Sequence, residues 1–67
     1  METNEIEEKL IVAGIKNLKE FGYPSVTKDN ILTDEVYKEF FKSMLNENKG
    51  YGSNIDTAIE SLLNKVK

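Results

Sequence analysis

Two groups of carboxylates are the residues of this chain best suited to chemistry, either as ligands of a divalent cation or as an acid and base pair. They are Glu5, Glu7 and Glu8 near the start and Asp29, Asp34 and Glu35 near the middle. A calcium-binding loop that began at Asp29 would need side-chain oxygens at its third and twelfth positions, where the chain has Ile31 and Phe40. Acids complement the positive end of the helix dipole at a helix start. We therefore interpret both groups as helix starts and expect no metal site.

The chain lacks the side chains that most catalytic and nucleic-acid-binding sites use. It has no histidine and no cysteine, and its nine basic residues are all lysine, against twelve acidic residues. A Ser-His pair, a Cys-His pair and a thiolate metal site are therefore excluded. Without arginine, and with a net charge of −3, the strong bidentate contacts to phosphate and guanine are missing. We expect no enzyme activity and no cofactor, and we disfavour a nucleic-acid partner.

An amphipathic pattern over residues 4–21 predicts the first helix that positions these side chains. Its apolar face consists of Ile6, Leu10, Ile11, Ile15, Leu18 and Phe21. Gly14 falls within that face, although glycine lowers helix stability by up to about 1 kcal/mol relative to alanine. We therefore expect a neighbouring helix to approach closely at Gly14. Thr3 or Asn4 is the predicted N-cap, with Glu7 in the capping-box position.

Two further helices are predicted over residues 34–49 and 54–66, with Thr33 and Ser53 as their N-caps. The apolar face of the second helix consists of Val36, Tyr37, Phe40, Phe41, Met44 and Leu45. The third helix has Ile55, Ala58, Ile59, Leu62, Leu63 and Val66 at helical spacing. Both patterns predict a continuous buried face along each helix.

The connection between the first two helices is too long for a tight turn, and Thr27 could cap a single helical turn near residues 28–31. Val26, Ile31 and Leu32 are expected to cover one end of the core. No segment alternates with the period of a strand. Three amphipathic helices can bury their apolar faces only against one another. The predicted fold is an all-α, compact three-helix bundle, with residues 1–67 as a single small helical domain.

A Gly-Tyr step occurs twice, at Gly22-Tyr23 and at Gly50-Tyr51. A left-handed glycine just beyond a helix commonly ends it, and the following residue then folds back over the last turn. We expect Gly22 and Gly50 to end the first two helices, with Tyr23 against Leu18 and Tyr51 against Leu45. The alternative is that the two tyrosines are displayed as a binding pair, and we favour the helix-ending role.

The candidate partner-binding residues are dispersed over the predicted bundle. Val12 points away from the apolar face of its helix, among lysines, and Tyr23 and Tyr51 lie at helix ends. A docking patch could consist of Tyr23, Tyr37 and Tyr51 with Phe40 and Phe41, but we favour core packing, because Tyr37, Phe40 and Phe41 lie on the core face of their helix. Thr57 and Ser61 lie on the outer face of the third helix. That face could serve a helix-turn-helix DNA-binding protein, but its acids lack compensating arginines.

The segment 14–45 resembles short uncharacterised helical proteins encoded by phages and bacterial prophages. The resemblance rests on Phe21-Gly22-Tyr23-Pro24, Asn30-Ile31-Leu32-Thr33-Asp34 and Phe40-Phe41, and it covers about half of the chain. It implies a host-cell cytoplasmic setting. It implies no activity, and it carries over no functional residue.

By elimination, we expect a small acidic helical module that binds or modulates another protein, and the resemblance implies that it is phage-encoded. The first alternative is a self-associating structural homodimer, and a less favoured one is a DNA-binding protein of the helix-turn-helix type. No apolar run approaches the roughly 18 residues of a membrane span, and the chain start lacks the basic residues of a secretory signal. We therefore expect a cytoplasmic protein with no membrane partner.

Overall fold

The fold is an all-α three-helix bundle, as the hydrophobic pattern predicts. A computed structural model describes residues 3–66, with Thr3 described by its backbone only. The helices are α1 (Thr3–Glu20), α2 (Glu35–Glu47) and α3 (Ser53–Lys65). A 3₁₀ turn, Asn30–Leu32, precedes α2. Each described element begins and ends within two residues of its predicted position.

The core lies where the three helices and the 3₁₀ turn meet. Its largest fully buried side chains are Leu18, Ile31, Phe41, Leu45, Ile59, Leu62 and Val66. Val26 is also buried, and Leu32 packs against the same cluster. The connection between α1 and α2 therefore contributes three side chains to the core, as predicted.

Two apolar side chains that the pattern assigns to the core are on the surface instead. Phe21 is 70% exposed and Val36 is 55% exposed. Phe21 is the first residue beyond α1, so it no longer follows the buried face of that helix. At 100° per residue, Val36 lies roughly 140° around α2 from the buried Phe41. The apolar faces predicted for α1 and α2 were therefore too wide.

Gly14 has the packing role that its position predicts. A Cβ atom added to Gly14 would lie 2.7 Å from Cδ1 of Phe41 and 3.0 Å from Cδ1 of Ile31. Both distances are too short for carbon atoms in contact, since optimal separations are about 3.5–4.0 Å. The Phe41 ring therefore occupies the space that any larger residue at position 14 would need.

Gly22 ends α1 in the predicted way. Its φ is 101°, in the left-handed region that favours glycine. The Gly22 N–H donates to the Lys19 carbonyl at 3.1 Å, and the Tyr23 N–H donates to the Leu18 carbonyl at 3.0 Å. This pair of bonds is the Schellman motif, which satisfies carbonyls that the helix end leaves free.

Local hydrogen bonds hold the connection between α1 and α2. The Thr27 N–H donates to Oδ1 of Asn30 at 2.6 Å, and the Asn30 N–H donates to the Thr27 hydroxyl at 3.2 Å. The Asn30 amide also donates to the Ser25 carbonyl at 3.0 Å. Thr27, the predicted cap, bonds to Asn30 but is not the N-cap of the 3₁₀ turn, which is Asp29 and has no side-chain hydrogen bond at the cap. The turn delivers Ile31 to the core.

The start of α2 differs by one residue from the prediction. Asp34 is the N-cap, and its carboxylate accepts hydrogen bonds from the N–H groups of Val36 at 2.9 Å and Tyr37 at 3.2 Å. Thr33 was the predicted N-cap, but its hydroxyl donates to the Asp29 carbonyl at 3.3 Å. Thr33 therefore closes the preceding turn and leaves capping to Asp34.

The end of α2 also differs from the prediction. The helix ends at Glu47, and the Asn48 amide donates to the Met44 carbonyl at 2.7 Å. Gly50 has the predicted positive φ, 95°, but its N–H donates to the Asp56 carboxylate at 2.9 Å. Tyr51 is 76% exposed, so the prediction that it covers the last turn of α2 is wrong.

The N-cap of α3 is Gly52, with no side-chain hydrogen bond at the cap. The prediction of Ser53 as the N-cap was therefore wrong, because Ser53 is already helical and its carbonyl accepts a hydrogen bond from the Thr57 hydroxyl at 2.8 Å. The carboxylate of Asp56 instead joins the start of α3 to Gly50 in the preceding connection.

Glu7 joins the start of α1 to the end of α3. Its carboxylate lies 2.8 Å from Nζ of Lys65, and the Glu7 side chain is only 9% exposed. Asn4, one of the two predicted N-caps, is within α1, while the side chain of Thr3, the other, lies outside the described residues. The predicted capping-box role of Glu7 is therefore replaced by an interhelical ion pair.

Candidate functional site

The most distinctive surface feature of the bundle is an exposed aromatic pair at the end of α1. The rings of Phe21 and Phe40 lie with centroids 5.2 Å apart and planes at 62°. This edge-to-face arrangement is one that aromatic pairs prefer. Phe21 remains mostly exposed despite the contact. The pair therefore leaves a large apolar side chain facing solvent in a fixed place.

A second aromatic pair lies beside the first. The rings of Tyr23 and Tyr37 are 5.8 Å apart with planes at 73°, and Tyr23 is 40% exposed. Tyr37 and Phe40 are three residues apart on α2, so they lie on neighbouring positions of one helix face. We call the four residues Phe21, Tyr23, Tyr37 and Phe40 the aromatic surface.

A groove of about 430 Å³ between α1 and α2 adjoins the aromatic surface. Its lining includes Asn17, Phe21, Phe40, Met44, Glu47 and Asn48. The Asn17 amide donates to Sδ of Met44 at 3.5 Å, and the Asn48 amide donates to the Met44 carbonyl. Each of these two amide groups therefore donates a hydrogen bond within the protein. Phe21 and Phe40 form the aromatic part of the groove lining.

The groove is acidic on one side because Glu47 contributes its only charged lining residue. Within residues 3–66, no hydrogen bond or ion pair engages the Glu47 carboxylate. Glu39 on the same helix is different, since a hydrogen bond and the charge of Lys42 lower its pKa. Glu47 is therefore an uncompensated negative charge beside an apolar surface.

Of the site residues predicted from the sequence, Tyr23 alone belongs to the aromatic surface. Val12 is exposed on α1, as predicted, and Tyr51 lies in the connection between α2 and α3. Thr57 is exposed but its hydroxyl donates to a backbone carbonyl, and Ser61 is half-buried. The five residues therefore do not form one site.

The aromatic surface also differs from both sequence interpretations of these rings, the favoured core packing and the alternative docking patch. Phe41 is in the core, as expected, but Phe40 and Tyr37 are only half-buried and face the exposed rings of Phe21 and Tyr23. Phe21 and Glu47 were missed as site residues. Phe21 directly precedes the helix-ending Gly22, a position from which a side chain can leave the buried face, and this signal was available in the sequence.

The acidic residues have structural roles in several cases. Asp34 caps α2, Asp56 binds the Gly50 N–H, and Glu7 pairs with Lys65. Across residues 3–66, no three carboxylates converge in a way that could hold a metal ion.

A second, smaller groove of about 330 Å³ lies beside the start of α1. Ile6, Lys9, Leu10, Asn48 and Ile55 line it. Within the described part of the chain, its lining contains no aromatic ring and no acidic residue, so it lacks both the exposed rings and the carboxylate of the first groove.

Comparison with models of protein families, with curated proteins and with solved structures finds no match. No helix among the described residues combines the length and apolar character that a membrane span requires.

Proposed function

We propose that this chain is a small helical protein-interaction module, phage-encoded and acting in the host cytoplasm, that binds another protein through the aromatic surface. The observation that carries the proposal is Phe21, which is 70% exposed while its ring is held against Phe40. Large aromatic side chains that are exposed and held in place are typical anchors of protein interfaces.

Two features of the surface support binding rather than incidental exposure. Two ring pairs meet neighbouring positions of α2, and a group of apolar side chains is a stronger sign of interaction than a single exposed residue. The Schellman motif fixes the backbone on both sides of Gly22, so Phe21 and Tyr23 are held close to their bound positions before a partner arrives. Such preorganisation lowers the entropy lost on binding.

The proposal is tested by affinity capture from bacterial lysate with three immobilised proteins: wild type, Phe21→Ala and Tyr51→Ala. Tyr51 is the matched control because it is an exposed aromatic residue outside the aromatic surface. We expect one or more proteins to bind wild type and Tyr51→Ala at physiological salt and to be lost with Phe21→Ala. Capture that is equal on all three proteins would contradict the proposal.

Self-association is the second candidate, since a second copy of the chain could cover the same exposed rings across a twofold axis. Light scattering distinguishes the two candidates. A homodimer would have twice the chain mass of 7.6 kDa and would dissociate with Phe21→Ala. A monomer at high concentration would leave the interaction with a different protein as the remaining proposal.

Binding to DNA has less support. The outer face of α3 carries Glu60, which forms an ion pair with Lys49, so a lysine near that face is already engaged. Affinity for DNA depends on free cationic groups that displace counterions from the phosphates. Failure to shift any duplex at low salt would exclude this function.

A further inference from the structure

We propose that the groove between α1 and α2 binds an amphipathic helix of the partner, with an apolar side chain against Phe21 and Phe40 and a Lys or Arg against Glu47. This inference rests on the proposed function and deepens it, because it assigns a shape and a charge to the segment that is recognised.

The shape of the groove favours a helix. The groove lies between the end of α1, with Asn17 in its last turn and Phe21 just beyond it, and the part of α2 from Phe40 to Glu47. A groove between two helices can accept an amphipathic helix through side chains spaced three or four residues apart. A flat aromatic surface would not select partner side chains that are three or four residues apart.

The charge of the groove selects a basic partner. Glu47 is the charged residue of the lining. Within residues 3–66 its carboxylate has no ion-pair partner. A partner cation would therefore meet uncompensated negative charge, and such complementarity gives an interface its specificity and speeds association.

Among the described residues, no lysine lines the groove. Lys16 and Lys19 lie roughly 100° and 160° around α1 from Asn17, which lines the groove. On α2, Lys42 is engaged by Glu39 at 2.9 Å. The groove therefore keeps its acidic character although lysines are present on the same helices.

Glu47 also departs from the local rules of helix stability. It lies in the last turn of α2, which contains no basic residue. A carboxylate there opposes the helix dipole. Residues that break a local rule without a structural gain are commonly found at functional sites, and a binding role for Glu47 would account for this one.

The test uses a yeast-displayed library of random peptides of roughly 16 residues, about four helical turns. The full chain is the bait, as wild type and as three variants: Phe21→Ala, Glu47→Lys and Glu5→Lys. Glu5→Lys makes the same change in net charge at an exposed position outside the groove lining, and it is the matched control. Circular dichroism confirms that each bait is folded.

We expect wild type to enrich peptides of net positive charge with apolar residues three or four positions apart. Their affinity should fall by about tenfold or more with Phe21→Ala and with Glu47→Lys and stay unchanged with Glu5→Lys. Peptides that depend on Phe21 but have no basic bias would overturn this inference and leave the proposed function standing. An equal loss with both charge reversals would also overturn it. If no peptide depends on Phe21, both proposals fail.

Discussion

The carboxylate of Glu7, in the second turn of α1, lies 2.8 Å from Nζ of Lys65, in the last turn of α3. The two residues are far apart in sequence, and the Glu7 side chain is almost entirely buried. The contact ties the first helix to the last. Since a buried carboxylate without a partner is strongly destabilising, this ion pair should matter more than those on the open surface.

Replacement of Lys65 tests this expectation. Lys65→Met removes the cation and leaves the Glu7 carboxylate buried without it, so we expect the free energy of unfolding to fall by about 1–3 kcal/mol. Lys28→Met is the matched control, because its partner Glu8 lies at 3.0 Å but both side chains are mostly exposed. An exposed pair contributes only about 0–1 kcal/mol. Equal losses in urea denaturation would contradict a special role for the Glu7 pair.

Gly14→Ala should destabilise the bundle although alanine is the better helix former. The added Cβ would lie 2.7 Å from the Phe41 ring, and overpacking of this kind costs about 1–3 kcal/mol. The gain in helix propensity, up to about 1 kcal/mol, would offset part of that loss. Gly52→Ala is the control for added volume, since a Cβ there meets no atom within 4 Å. Its loss should be limited to the poorer N-cap preference of alanine, about 1 kcal/mol or less.

Gly22→Val and Gly50→Val should each lower the free energy of unfolding by about 1 kcal/mol or more. No atom lies within 4 Å of the added Cβ at either position, so the loss would come from the backbone, whose φ values are 101° and 95°. Gly22→Asn should be milder because asparagine tolerates the left-handed region. Unchanged thermal midpoints in both valine variants would contradict a requirement for glycine at these two left-handed positions, of which Gly22 ends α1 and Gly50 lies in the connection after α2.

Glu47→Lys should stabilise the isolated protein while weakening its binding. Lysine complements the negative end of the α2 dipole, so we expect a gain of about 0.3–1 kcal/mol at low ionic strength. Added salt should reduce that gain through screening. A loss of stability would show that the Glu47 carboxylate has a structural role and would remove one argument for its part in binding.

The sequence was sufficient to predict the fold because helical periodicity and glycine geometry are local properties. The three helices, the close approach at Gly14 and the left-handed Gly22 follow from spacing and backbone conformation alone. The Glu7–Lys65 pair was not predictable, because it depends on how the ends of α1 and α3 meet in space. Local pattern predicted Thr33 and Ser53 as N-caps. Thr33 instead bonds to the Asp29 carbonyl and Asp34 is the N-cap of α2, while α3 already includes Ser53 and has Gly52 as its N-cap.

The candidate site was only partly predictable for the same reason. Tyr23 was identified as a surface residue, but Phe21 was assigned to the buried face of the first helix. Its exposure arises where the helix stops, one residue before the left-handed turn. The groove beside it requires the packing of α1 on α2, which no helical periodicity in one segment can specify.

Photo-cross-linking from position 21 in living bacteria is the most direct test of the central claim that the aromatic surface contacts a partner. A photoreactive phenylalanine derivative replaces Phe21 in one protein and Tyr51 in the control, and ultraviolet light then captures any molecule in contact. We predict a discrete protein adduct from position 21 that is absent from position 51. No adduct at position 21, or the same adducts at both positions, would contradict the claim.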